Sequence, residues 1–137
     1  MAWQVPDVGE VALLARVLYS DADAENISQK LYSNNVVFAE SDVAGTYTEA
    51  TFTGYSAKTL TSYQSGATWA VPTTAAGVTS SAYGTASVWS PTTSQTIYEQ
   101  ILVGATSTIL LAVDAFAAGL PLANGGTLTI TPAFGAA

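Results

Sequence analysis

Two stretches in the second half of the chain constrain its fold more than any other feature. Gln95 to Val103 and Ser107 to Phe116 are rich in Ile, Leu and Val, and the segment around Gly104-Ala105-Thr106 divides them. Short apolar runs bounded by turn residues read as central strands buried on both faces. A membrane span over Ile101 to Leu122 is the competing reading, and it fails on three counts. The Gly104-Ala105-Thr106-Ser107-Thr108 segment interrupts it, Pro121 ends it, and Asp114 would lie near the bilayer centre with no basic residue after Lys58 to pair with it. No membrane partner is expected.

Around this pair the chain reads as further short strands. Ile27 to Ser33 alternates, Asn34-Asn35 supplies a turn, and Val36-Val37-Phe38 follows as an apolar run. Thr51-Phe52-Thr53-Gly54-Tyr55 is β-prone, and Gly54 within it signals a bulge or a close backbone approach. Ala67 to Val71 forms another run closed by Pro72, and Tyr83 to Trp89 alternates until Ser90-Pro91. Near the end, Asn124-Gly125-Gly126 is a turn. Leu128, Ile130 and Phe134 then alternate with threonines along a final strand, which Pro132 assigns to a sheet edge.

One segment differs in period. From Val8 to Tyr19 the apolar residues recur at three- and four-residue steps, the pattern of one face of an amphipathic helix of about three turns. Asp7 is positioned to cap it with Glu10 three residues on, while Gly9 weakens its start. The expected fold is therefore mainly β: a sandwich or partly open barrel of about seven short strands with one N-terminal amphipathic helix. The whole chain, residues 1–137, reads as a single domain, with an N-terminal arm and helix over 1–30 and a β domain over 31–137.

Composition narrows the chemistry. The chain contains neither His nor Cys, which removes the commonest base near neutral pH, the commonest nitrogen ligand for metals and the thiolate nucleophile. No cofactor or metal is expected. The net charge of −7, with Arg16, Lys30 and Lys58 as the only basic residues, argues against binding to nucleic acid, which requires clustered cations. Eight of the ten acidic residues lie before Lys58, so the remainder takes its polarity from Thr, Ser, Asn and Gln. The N-terminus lacks a basic stretch ahead of an apolar one, so a secretory leader is not expected.

Three groups of residues are candidates for a site. Asp21-Ala22-Asp23-Ala24-Glu25-Asn26 resembles the opening of a calcium loop, but Asn26 stands where the sharp turn needs Gly and Tyr32 where the bidentate Glu belongs, so it reads as a solvated acidic loop. Glu40, Asp42 and Glu49 offer carboxylates for acid–base work, yet no spacing among them demands catalysis, and the chain is read as not an enzyme. The aromatic residues are the third group. Trp69 and Trp89 read first as core and second as interface, whereas Trp3, with Gln4 and Val5, precedes any core element and reads as an anchor on a partner.

Two segments carry a family resemblance: Tyr47-Thr48-Glu49-Ala50-Thr51-Phe52-Thr53-Gly54-Tyr55 with Thr59-Leu60-Thr61, and the ending Gly125-Gly126-Thr127-Leu128-Thr129-Ile130-Thr131-Pro132-Ala133-Phe134. Together they resemble small virion proteins of tailed bacteriophages, most of all capsid decoration (cement) proteins, from about Leu31 onward. The chain departs from the pattern at Thr96-Ile97-Tyr98-Glu99-Gln100, where such proteins carry a Val-Tyr-Gly-Tyr-like strand. The resemblance implies a non-catalytic protein on the outer surface of the capsid, bound to the major capsid protein and to copies of itself as a dimer or trimer. A minor tail or fibre module that binds a host-surface carbohydrate is the alternative. An acidic chain is repelled by packaged DNA, which favours the outer face of a shell.

Overall fold

The computed structural model describes residues 3–18, 25–61, 69–70, 72–75 and 78–136. Helix α1 (Asp7–Leu18) is followed by nine strands: β1 (Ile27–Tyr32), β2 (Lys58–Leu60), β3 (Thr73–Ala75), β4 (Val78–Ala82), β5 (Ser87–Trp89), β6 (Gln95–Gly104), β7 (Leu110–Leu122), β8 (Leu128–Ile130) and β9 (Ala133–Ala136). The fold is mainly β and sandwich-like with one N-terminal helix. Its strands form a four-stranded sheet in the order β2-β1-β6-β7, a three-stranded sheet β3-β4-β9 and the pair β5-β8, all antiparallel.

The two long apolar runs form the hairpin β6–β7, and β1 flanks β6 on its other side. Both faces of this central part are covered. On one, Tyr32, Ile101, Val103, Leu110 and Val113 pack beneath a loop that contributes Val36, Phe38, Ala44 and Tyr47. On the other, Leu60, Leu102 and Leu111 meet Ala12 of α1 together with Trp3, Trp69 and Tyr83. A third cluster joins Leu31, Ile97 and Leu122 to Trp89 of β5 and Leu128 of β8. Cores on both faces of one sheet explain why β6 and β7 lack the alternation of half-solvated strands.

Several elements differ from the sequence expectation. The described residues hold nine strands rather than about seven. The Tyr83 to Trp89 run is not one strand: Tyr83 bridges to Trp69, and only Ser87–Trp89 extends as β5. The final strand divides at Pro132, with β8 pairing to β5 and β9 to β4. Pro132 has no N–H to continue a ladder, and its carbonyl instead accepts from Tyr83 N at 2.7 Å. Val36-Val37-Phe38 belongs to the covering loop, and Val37 is 91% exposed. Most of the Ala67 to Val71 run lies outside the described residues.

The helix begins at Asp7, its expected cap, one residue earlier than the apolar pattern. Pro6 O accepts from Gly9 N and Glu10 N, so Asp7 sits in the first turn, where its charge favours the positive end of the helix dipole. Gly9 weakens the helix but seats it, because a Cβ there would meet Leu111 O at 2.6 Å and Leu110 O at 2.8 Å. Gly54 makes the expected close approach, in a turn rather than a strand. Tyr55 N closes onto Phe52 O, Gly54 has φ +93°, and Ser90 O lies 2.8 Å from where its Cβ would be.

Gly54→Ala meets strain from both the dihedral and the Ser90 carbonyl, whereas Gly45→Ala enters open space. Urea unfolding should show a loss of about 2–3 kcal/mol for the first and a change within about 0.5 kcal/mol for the second. Equal losses would show that the turn at Gly54 is not fixed as described.

Candidate functional site

Antiparallel partners share a face of a sheet. The register therefore places Gln29, Gln100 and Asp114 on one side of β1-β6-β7, and Tyr32, Glu99 and Ile101 on the other. Both sides carry a buried carboxyl.

On the first side the polar groups form a chain. Ser87 Oγ donates to Gln29 Oε1 at 2.6 Å, Gln29 Nε2 to Gln100 Oε1 at 2.8 Å, and Gln100 Nε2 to Asp114 Oδ2 at 2.8 Å. All four residues are buried, and Asp114 Oδ1 has no partner. Burial raises the Asp114 pKa, and the bond from Gln100 opposes the rise. The chain ties three neighbouring strands to β5 and admits one register, because a slip of one residue would reverse the face of every amide.

On the second side Glu99 is 1% exposed. Its Oε1 accepts from Val36 N at 3.1 Å and its Oε2 has no partner. Burial raises its pKa; the bond from Val36 lowers it, and the nearby Asp42 raises it further. Asp42 Oδ2 accepts from Tyr47 OH at 2.8 Å and from Ala39 N at 2.9 Å. Burial, with the Asp42 contact behind it, pushes the Tyr47 phenol above its ordinary range.

The Glu49 to Tyr55 motif is occupied by the fold itself. Glu49 binds Lys30 at 2.9 Å and accepts from Tyr55 OH at 2.8 Å, and Leu31 N donates to that same hydroxyl. Ala50 and Phe52 enter the core, Gln95 Oε1 accepts from Thr51 N and Phe52 N, and the Phe52 and Tyr55 rings pack edge to face. Every strongly interacting group in the motif fastens one loop to the central sheet.

The three expected carboxylates are engaged separately: Glu40 is exposed, Asp42 is held by its own loop, and Glu49 is paired with Lys30. Asp21 to Ala24 lie outside the described residues. Glu25 accepts from Thr106 N, Ser107 N and Ser107 Oγ, and so braces the β6–β7 turn. Among the described residues no cluster of three or more acidic side chains is placed to hold a metal, and no helix is long and apolar enough to cross a membrane.

Of the residues expected to meet a partner, Trp3 and Trp69 pack on one apolar cluster, whereas Trp89 lies in another. Trp89 is 1% exposed, donates its indole N–H to Ser56 O and lies 5.5 Å from Lys58 Nζ. It is core and cannot meet a partner. Trp69 is half-buried, donates to Thr61 O and packs edge-on against Tyr83. Trp3 is half-buried against the Leu60, Leu102 and Leu111 cluster, Val5 is half-buried, and Gln4 is exposed while its backbone pairs with Val113. The buried carboxyls, Glu99 and Asp114, escaped the sequence reading; the signal for them was a charge inside each of the two most apolar strands. No protein-family model, curated protein or solved structure matches this chain.

Burial raises the pKa of Glu99 and Asp114, so each keeps its proton to a higher pH in the folded state than in the unfolded chain. Their contribution to stability is therefore full below the ordinary carboxylate range, near pH 4, and is lost as pH rises towards their raised folded values. Urea unfolding should give a lower free energy at pH 8 than at pH 5, with the slope flattened in the double variant Glu99→Gln/Asp114→Asn. A slope unchanged in that variant would assign it to the general repulsion of the acidic chain.

Proposed function

We propose that this protein is a virion structural protein, a decoration protein on the outer surface of a tailed-phage head, where it binds the major capsid subunits and itself and stabilises the shell. The observation that carries the reading is the use made of the Glu49 to Tyr55 motif. The interacting groups of that segment are spent on internal fastening, through Lys30–Glu49–Tyr55 and the Gly54 turn.

Charge supports the same reading. Beyond Lys58 the only charged residues are Glu99 and Asp114, and both are buried, so the described surface of that part is formally uncharged. It also exposes Val88 and Ile109. Such a surface suits lasting, weakly polar contact between subunits more than capture of a charged ligand. Carbohydrate recognition is less well supported: Trp89 is enclosed, and Trp69 and Trp3 are half-buried in packing contacts, which leaves little of the broad aromatic face that stacking on a sugar requires.

A protein that binds only the assembled shell stabilises it by mass action. Particles lacking this protein should lose their contents at lower temperature and under milder osmotic shock than complete ones, and adding the purified protein back should restore resistance. Equal resistance with and without it, or its presence in only a few copies at the tail, would overturn the assignment.

A further inference from the structure

We infer that Glu99 is a proton-operated latch for the loop of residues 34–47: protonated, it lets the loop close over the central sheet, and its ionisation drives the loop open.

The geometry sets the two sides of the latch. Glu99 belongs to β6, fixed by ladder partners on both edges, Tyr32 of β1 and Ala115 of β7. Residues 35–43 have no place in any ladder. Val36 N donating to Glu99 and Asp7 N donating to Glu40 O tie them to the rest of the molecule, whereas the Asp42 carboxyl, through Ala39 N and Tyr47 OH, and Asp42 N, to Ala39 O, bond within the loop. At the loop's base, Asn34 bonds Thr46 O and Thr48 N. If Glu99 must reach water, the loop is the side that yields, since opening it breaks few backbone hydrogen bonds.

Among the described residues, an ionised Glu99 is compensated by the Val36 N–H bond but by no cation. Tyr47 and Asp42 approach from the loop, bringing a second carboxyl and a hydroxyl but no cation. Of the basic groups whose side chains are described, Lys30 is bound to Glu49 and Lys58 lies by the Trp89 ring. A buried carboxylate with one oxygen unpartnered and no cation is costly, and hydration is the remaining relief.

Opening would expose the undersides of Val36, Phe38 and Ala44 and release the Asp7–Glu40 link to α1. An acid shift therefore tightens this end of the molecule and an alkaline shift loosens it. The device is independent of the function proposed above.

Backbone hydrogen exchange of the purified chain tests it, read as protection factors so that the intrinsic pH dependence cancels. An opening that releases one proton should lower the protection of Val36 and Asp7, whose amide bonds cross between the loop and the rest of the molecule, about tenfold per pH unit between the ordinary carboxylate range and the folded value, then level off. Glu99→Gln should abolish that slope, and Asp114→Asn should leave it intact. The 13C shift of the Glu99 carboxyl in the unmodified chain gives a second readout, with an expected midpoint above the usual range. Loop protection that does not change with pH, a slope that survives Glu99→Gln, or an ordinary Glu99 midpoint would each overturn the latch.

Discussion

The pairing of β6 with its two neighbours is the constraint on which the rest of the molecule depends. β6 is flanked by β1 and β7 and enclosed on both faces, so its backbone polar groups are satisfied inside the sheet while its side chains nucleate separate clusters. The helix, the covering loop and the β5–β8 pair each find an apolar face only because this ribbon presents one in their direction. Gln29, Gln100 and Asp114 then fix the register, since alternatives would leave buried amides unpaired.

This arrangement gives buried polar residues two different tasks. On one side of the ribbon the carboxyl is the end of a hydrogen-bonded chain that welds strands together. On the other it faces a loop held by few bonds, so the same chemistry produces a movable contact. The difference lies in what each carboxyl bonds: Gln100 on the central strand in one case, irregular backbone in the other.

Much of this was legible in the sequence. β1, β6, the turn at Asn124-Gly125 and the close approach at Gly54 follow from local pattern, because apolar runs, Asn-Gly pairs and isolated glycines report short-range geometry. Pro132 was legible as a break but not as a change of sheet, since which strand β9 joins depends on a partner, β4, remote in sequence. Gly9 read as a helix defect because its value lies in contact with Leu110 and Leu111 about a hundred positions away. Glu99 and Asp114 were visible as charges, yet their burial depends on elements packed from elsewhere in the chain. Trp89 shows the same limit in reverse: its enclosure depends on β8 and the Ser56 segment, so an aromatic residue in an alternating strand reads equally as core or as surface.

A molecule built in this way has a rigid spine and less anchored coverings, consistent with a part whose work is to hold a surface in place. Native-state hydrogen exchange in low denaturant tests that hierarchy most directly. The amides of Leu102 and Val103 in β6 should exchange only through global unfolding, with the full denaturant dependence of that transition, while amides of β4 and β9 exchange through smaller openings. Exchange of the β6 amides through an opening of lower free energy than global unfolding would contradict the account.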